Sequence, residues 1–375
     1  MKRKSKIFYT VAVTFVFLFA LQISSYALEP NIDRYSEEFD LGSVVSAVDG
    51  DTLRILEEIG ITEISYESIF SVEPAKVFNA LFNMVSTALK EPLRFALITV
   101  GVMMITALLD SMVESSESVS LVGGSVIALS AAVPVAEIVT TSFSVLETLG
   151  VFTTAFSGVF CAVVSSAGNI TAGFTHSALT VFSNALFSGL LSEFCQPVVS
   201  AMCSLGFLSC FDMFDFSTRF SGIVKKIYVF FMSFIGTVFS GIITVKGVLS
   251  DGADSLTAKS IRFVVGRSLP VVGGTVSETY SALVSSLTLI KNTVGIFGII
   301  TVIVTVFPTL IDLLMWILTL EISISVSESF GTCKASGMLN VLKDTLVLLV
   351  ATVVIVATIF IVSVGVVIAV KGGAV

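Results

Sequence analysis

Long apolar runs separated by short polar breaks make up most of the chain. The runs fall at residues 92–110, 119–141, 149–168, 174–192, 194–211, 227–250, 293–320 and 344–370, and most are long enough to cross a hydrocarbon core of about 30 Å as helix. Residues 194–211 are the marginal case. They follow Glu193 with almost no loop and contain Pro197, so half of a re-entrant hairpin fits as well as a full crossing. Upstream the period changes. Leu53, Leu56 and Ile59 recur on one face of an acidic stretch ending near Gly60, and Ser71-Val-Glu-Pro74 has the form of a capped helix start with proline in the first turn. After it Phe78, Leu81, Phe82, Val85, Ala88 and Leu89 follow the i, i+3, i+4, i+7 spacing, with Lys76, Asn79, Asn83 and Lys90 elsewhere on the wheel. Such a helix either lies along the bilayer surface or packs on a partner's helix. The pattern predicts an all-α fold: a polytopic membrane bundle of about seven to nine segments, at least one broken or re-entrant, preceded by a small helical extracytoplasmic segment.

Composition agrees with that pattern. Hydrophobic residues make up 55% of the 375 and charged residues 13%, with a mean hydropathy of +1.01; soluble proteins carry roughly 25% charged residues. A soluble enzyme, a nucleic-acid-binding protein and a disordered tail are all excluded on this ground. The net charge of −8 is unevenly spread. Lys2, Arg3, Lys4 and Lys6 precede an apolar run from Ile7 to Ile23 and the small residues of Ser24-Ser25-Tyr26-Ala27, the layout of a secretory signal. An uncleaved first anchor is the other reading. On either, residues 28–91, with 13 acids and 4 bases, fall outside the cytoplasm under the positive-inside rule. The domain reading is therefore 1–27 signal peptide, 28–91 acidic extracytoplasmic helical segment ending in the amphipathic helix, and 92–375 polytopic transmembrane domain. With residue 91 outside and five crossings after it, Arg219, Lys225 and Lys226 reach the cytoplasm, as the rule prefers. Lys259, Arg262 and Arg267 would then face outward unless their segment is embedded or amphipathic, and the side of the C-terminus stays open.

The inventory for catalysis is thin. His176 is the sole histidine, no GxxxxGK[ST] loop occurs, and Cys161, Cys195, Cys203, Cys210 and Cys333 show no metal-ligand spacing. Neither an enzyme nor a bound cofactor or metal is expected, and the cysteines read as small hydrophobes at helix contacts. Ionisable residues within apolar runs carry more information: Glu137, Glu147, Glu193, Lys246, Glu278, Lys291, Asp312 and Glu321. Charges at bilayer depth face protein or a water-filled cavity. Glu147, Glu193 and Glu321 read as interfacial, whereas Asp312, between Pro308-Thr-Leu-Ile and Leu-Leu-Met-Trp316, reads as buried in the bundle. The abundant Gly, Ala, Ser and Thr mark helices built to approach closely. The densest cluster runs from Gly266-Arg267 through Pro270 and Gly273-Gly274 to Glu278, then Lys291-Asn292 and Gly295. Pro270 removes a backbone donor and the glycines permit irregular torsions, so a broken helix lining a ligand site or pore fits here. A plain loop between an interfacial helix and a span fits equally. Val133-Pro-Val-Ala-Glu137 with Leu149-Gly-Val-Phe152 is faintly echoed by Leu269-Pro-Val-Val-Gly273 with Val294-Gly-Ile-Phe297.

The stretch GRSLPVVGGTVSETYSALVSSLTLIKNTVGIFGIITVIVTVFPTLID, from Gly266 to Asp312, resembles the core of the stage III sporulation protein AE family of endospore-forming bacteria, and the order of parts along the chain is similar too. The resemblance implies a membrane component of a channel or secretion-like complex joining mother cell and forespore, required for late forespore gene expression. Its implied partners are the other stage III A membrane proteins and a forespore membrane partner. It implies residence in the mother-cell membrane facing the forespore, and marks Arg267, Pro270, Gly273, Gly274, Glu278, Lys291, Asn292 and Gly295 as motif residues; Asp312 joins them as a candidate lining residue. A stand-alone secondary transporter shares the broken helices and buried charges. Company separates the two: a transporter purifies and works alone, a channel component co-purifies with the other membrane proteins.

Overall fold

The computed structural model describes residues 39, 41–112, 116–209, 216–268, 273–330 and 333–369. The expected signal at 1–27, Cys210 and Pro270 lie outside this range. Among the described residues all regular structure is helical. Four short helices come first: α1 (Leu41–Ser46), α2 (Gly50–Ile59), α3 (Tyr66–Phe70) and α4 (Pro74–Ala88). Their ends follow local chemistry. The Asp49 carboxylate accepts from the Asp51 amide at 3.2 Å to cap α2, and Gly60 closes it at φ 98°, a left-handed conformation that favours glycine. Ser65 Oγ accepts from the Ser68 amide at 3.1 Å and caps α3. Leu56 and Ile59 are buried, as their spacing predicts. In α4 only Ala80 is buried; Phe78 and Phe82 are 67% and 64% exposed, so the apolar stripe points away from the protein's own bundle.

The long helices are α5 (Lys90–Met112), α6 (Ser116–Ser166), α7 (Ile170–Leu190), α8 (Gln196–Leu208), α9 (Phe216–Ser268), α10 (Gly273–Ser329) and α11 (Cys333–Ala369). A π turn at Leu191–Cys195 joins α7 to α8. Six helical courses among the described residues are long and apolar enough to cross a membrane. The sequence divides the same stretch into more pieces, because two of its polar breaks do not break helices. Runs 119–141 and 149–168 both belong to α6. Between them Thr140 Oγ1 donates to the Ala136 carbonyl at 3.1 Å and Ser142 Oγ to that of Ile138 at 2.6 Å. Hydroxyls satisfied by the helix's own carbonyls let the helix continue. Runs 174–192 and 194–211 likewise form one course. Pro197, which suggests a re-entrant break, follows the π turn and sits in the first turn of α8, where its missing N–H is tolerated.

α6 with 51 residues and α10 with 57 extend about 77 and 86 Å at 1.5 Å per residue, more than twice a hydrocarbon core of about 30 Å. α10 and α11 run antiparallel at the centre, tied at opposite ends by Lys343 to Glu321 (2.6 Å) and by Lys291 to the Val367 carbonyl (3.3 Å). α9 runs parallel to α11: Gly236 lies against Ile355 and Gly247 against Val366. α6 forms hairpins with α5 and α7 and packs antiparallel on α10, where Gly298 faces Phe156 and Gly295 faces Phe160. Since lipid supplies no hydrophobic drive between helices, these glycine contacts set how closely the helices approach. One core cluster joins α1–α3 to α6, α10 and α11; a second joins α5, α8 and α9 to the other halves of α6, α10 and α11.

Candidate functional site

A cavity of about 960 Å³ lies where α2, α4 and α5 meet α6 and α10. Its chemistry follows from two prolines inside long helices, Pro134 in α6 and Pro308 in α10. Each removes an N–H from the helical ladder and leaves the carbonyl four residues earlier, on Ser130 or Val304, without its usual partner. Both prolines line the cavity, and each is followed within about one turn by a carboxylate, Glu137 or Asp312, that lines it too. Asp51 and Glu58 from α2 and Glu91 at the head of α5 add three more acids, against Arg54 as the one lining base among the described residues. Asp312 is half-buried and Glu137 exposed. Below them Trp316, 5% exposed, packs against Phe95 with ring centroids 5.4 Å apart. The cavity is thus an acidic bowl with an aromatic floor, suited to holding water and positive charge.

The other candidate residues are placed elsewhere. Lys291, 1% exposed, donates to the Val367 carbonyl of α11. Gly295 is a packing position, since a Cβ there would come within 2.7 Å of Ile368 and 3.2 Å of the Phe160 ring. The buried Asn292 Oδ1 has no hydrogen-bond partner among the described residues. Lys291 and Asp312 are 21 residues apart on one helix, about 30 Å, so the motif region and the acidic cavity are separate places. Arg267 belongs to α9, and Gly273, Gly274 and Glu278 to the first turns of α10; their side chains, and Pro270, lie outside the described part.

Outside the cavity, Glu321 pairs with Lys343, and Lys225 of α9 pairs with Asp344 of α11 at 2.5 Å. His176 is buried, its Nδ1 3.0 Å from Ser363 Oγ and its ring edge-on to Phe160. Among the described residues no group of three His, Cys, Asp or Glu side chains could hold a metal ion. Cys161, Cys195 and Cys203 are free thiols, with Cys195 fully buried in the second cluster. The contribution of α2 to the cavity has no sequence signal beyond acidity, because nothing local says that Asp51 and Glu58 come to face a helix some 250 residues later in the chain. Pro134 and Pro308 do carry a signal. A proline followed by a carboxylate three or four residues on, within an apolar run, occurs at both.

The family model described as Stage III sporulation protein AE matches residues 59–371, most of the chain, and the chain belongs to that family. Stage III sporulation protein AE of Bacillus subtilis (strain 168) is similar at 24% identity over 208 residues, which cover 55% of this chain and 51% of that protein. The match therefore spans about half the length of that curated relative. No solved structure matches.

Proposed function

We propose that this member of the stage III sporulation protein AE family is a non-enzymatic membrane component of the channel or secretion-like complex between mother cell and forespore. In this reading the six apolar courses sit in the mother-cell membrane, residues 28–91 lie outside the cytoplasm, and late forespore gene expression depends on the assembly. Its partners are the other stage III A membrane proteins and a forespore membrane protein. The observation that carries the reading is the family match over residues 59–371; the acidic bowl between Pro134 and Pro308 supplies a polar place within an apolar bundle. One feature favours the alternative, a stand-alone secondary transporter: two proline-interrupted helices converge on one cavity, as discontinuous helices do at transporter substrate sites.

Asp312→Asn keeps the shape of the side chain and removes its charge. In a sporulating host the variant accumulates in the membrane at the parental level, while heat-resistant spores and a late forespore reporter fall at least about tenfold, as expected for an intramembrane carboxylate with a working role. Parental spore counts from Asp312→Asn and from Glu137→Gln would remove the bowl from the mechanism. Co-purification separates the two readings: the stage III A proteins come down with a channel component, while a transporter purifies alone and retains solute uptake in vesicles.

A further inference from the structure

The outward faces of the bundle differ in chemistry. α5 presents Leu97 and Leu108, the first half of α6 Val122 and Leu129, and α9 Phe230 and Phe234, all exposed, as a lipid-facing surface requires. The second half of α6 and α7 mix exposed apolar side chains, among them Val151, Val181 and Phe182, with polar ones. There the exposed positions include Ser144, Glu147 and Thr154, and the neighbouring α7–α8 course exposes Ser188, Ser192 and Glu193. Lipid against this surface would meet the carboxylates of Glu147 and Glu193, which favour water over hydrocarbon.

Between the two polar strips runs a groove of about 670 Å³, backed by Phe360 and Ser363 of α11. Its polar wall is built. Asn184 Nδ2 donates to the Gly150 carbonyl at 3.1 Å and to Thr154 Oγ1 at 2.7 Å, while Thr153 Oγ1 donates to Asn184 Oδ1 at 3.1 Å. Thr180 also lines the groove. It is 4% exposed, and its Oγ1 has no hydrogen-bond partner among the described residues. A buried hydroxyl in that state is unfavourable, and water in an adjoining polar cavity relieves the loss. The π turn contributes Leu191 and Ser192 to the rim, and such turns gather at functional sites. Among the described residues Glu147 is the one charged residue lining the groove, and no Lys or Arg lines it.

From these observations we infer that the α6–α7 groove is filled with water, faces away from lipid, and forms the wall of an aqueous path that admits hydrated cations in preference to anions. The inference rests on the membrane-channel reading above and names where its path runs. Neither the substrate of the complex nor sporulation itself enters the test, so failure of the sporulation role and failure of the groove are separate results.

Single cysteines at Ser188 and Ser192, with controls at Leu129 and Phe234, are placed in the full chain after Cys161, Cys195, Cys203, Cys210 and Cys333 are changed to alanine. Membrane vesicles are treated with a methanethiosulfonate reagent carrying either a trimethylammonium or a sulfonate group. The groove positions react and the controls do not, and the cationic reagent is faster by about tenfold, the scale on which a charged cleft alters association. Glu147→Gln removes that preference. Silence at Ser188 and Ser192, or a faster sulfonate reagent, overturns the proposal. A second measurement keeps the native cysteines. In Trp316→Phe protein reconstituted with brominated phospholipid, fluorescence of Leu129→Trp is quenched and that of Val151→Trp, on the groove wall, is not. Equal quenching at both places lipid in the groove and refutes the claim.

Discussion

Gly298 of α10 faces the ring of Phe156 so closely that a β-carbon would collide with three of its ring carbons. Phe156 is fully buried and stacks on Phe160 at 5.0 Å, with Phe360 edge-on at 5.6 Å, so it has nowhere to retreat. Overpacking of this kind destabilises by about 1–3 kcal/mol. Gly298→Val therefore lowers the unfolding midpoint of the detergent-solubilised protein measurably, whereas Gly158→Ala, where nothing lies within 4 Å of the added carbon, leaves it the same or slightly higher because alanine is the better helix former; a Gly298→Val midpoint equal to the parent's would show that Phe156 can move. The pair Gly295 and Gly298 is legible in the sequence as a site of close helix approach, because small residues at that spacing have one main use in lipid. Which helix approaches is not legible, since Phe156 and Phe160 look like any other apolar residues of α6. Lys291 illustrates the reverse error of emphasis. Its charge draws attention to the motif region, yet the structure uses it between helices, donating to Val367.

At the scale of elements, apolar runs mark each long described helix but do not show how the runs join. Polar breaks were the cause: a run of hydroxylated residues reads as a loop, but each can bond back to a carbonyl of its own helix, as Ser192 does to Ser188 at 3.0 Å. The π turn at Leu191–Cys195 is the clearest case. A π turn holds one residue more than the α-helix around it, so deleting Ser192 closes the ladder and leaves the register on either side intact. The deletion variant accumulates in the membrane, with a stability change within about 1–2 kcal/mol, an ordinary single-site effect. Deleting Val199 instead, within regular α8, turns every later residue of the helix by about 100°. Gly206 then loses its seat against Leu342, and the protein fails to accumulate. Immunoblots of membrane fractions distinguish the two deletions, and equal loss from both would mean that the π turn is not a local insertion.

At the scale of the whole molecule, the acidic segment ahead of residue 92 shares a core with the long helices. Leu41, Val44, Leu56, Ile59, Ile61, Ile64 and Ile69 belong to one buried cluster with Leu146, Leu149, Val302 and Val306 of α6 and α10, and Thr52 Oγ1 donates to Thr305 Oγ1 at 3.2 Å. The amphipathic face of α2 was legible from Leu53, Leu56 and Ile59, but its partner is a contact across some 250 residues that no local pattern encodes. Burial of a large aliphatic side chain contributes about 1.5–3 kcal/mol, and area-based sums are upper bounds; seven such residues therefore contribute on the order of 10 kcal/mol. Deleting residues 41–70, with residues 1–40 and α4 retained, leaves a chain that inserts but exposes the α6–α10 face. Size-exclusion chromatography in detergent shows it aggregated or unfolding well below the intact protein, while Thr52→Ala, which removes one hydrogen bond of about 1 kcal/mol, stays close to the parent. A truncated protein that elutes and melts like the full chain would make α1–α3 a separate attachment and the long helices self-sufficient.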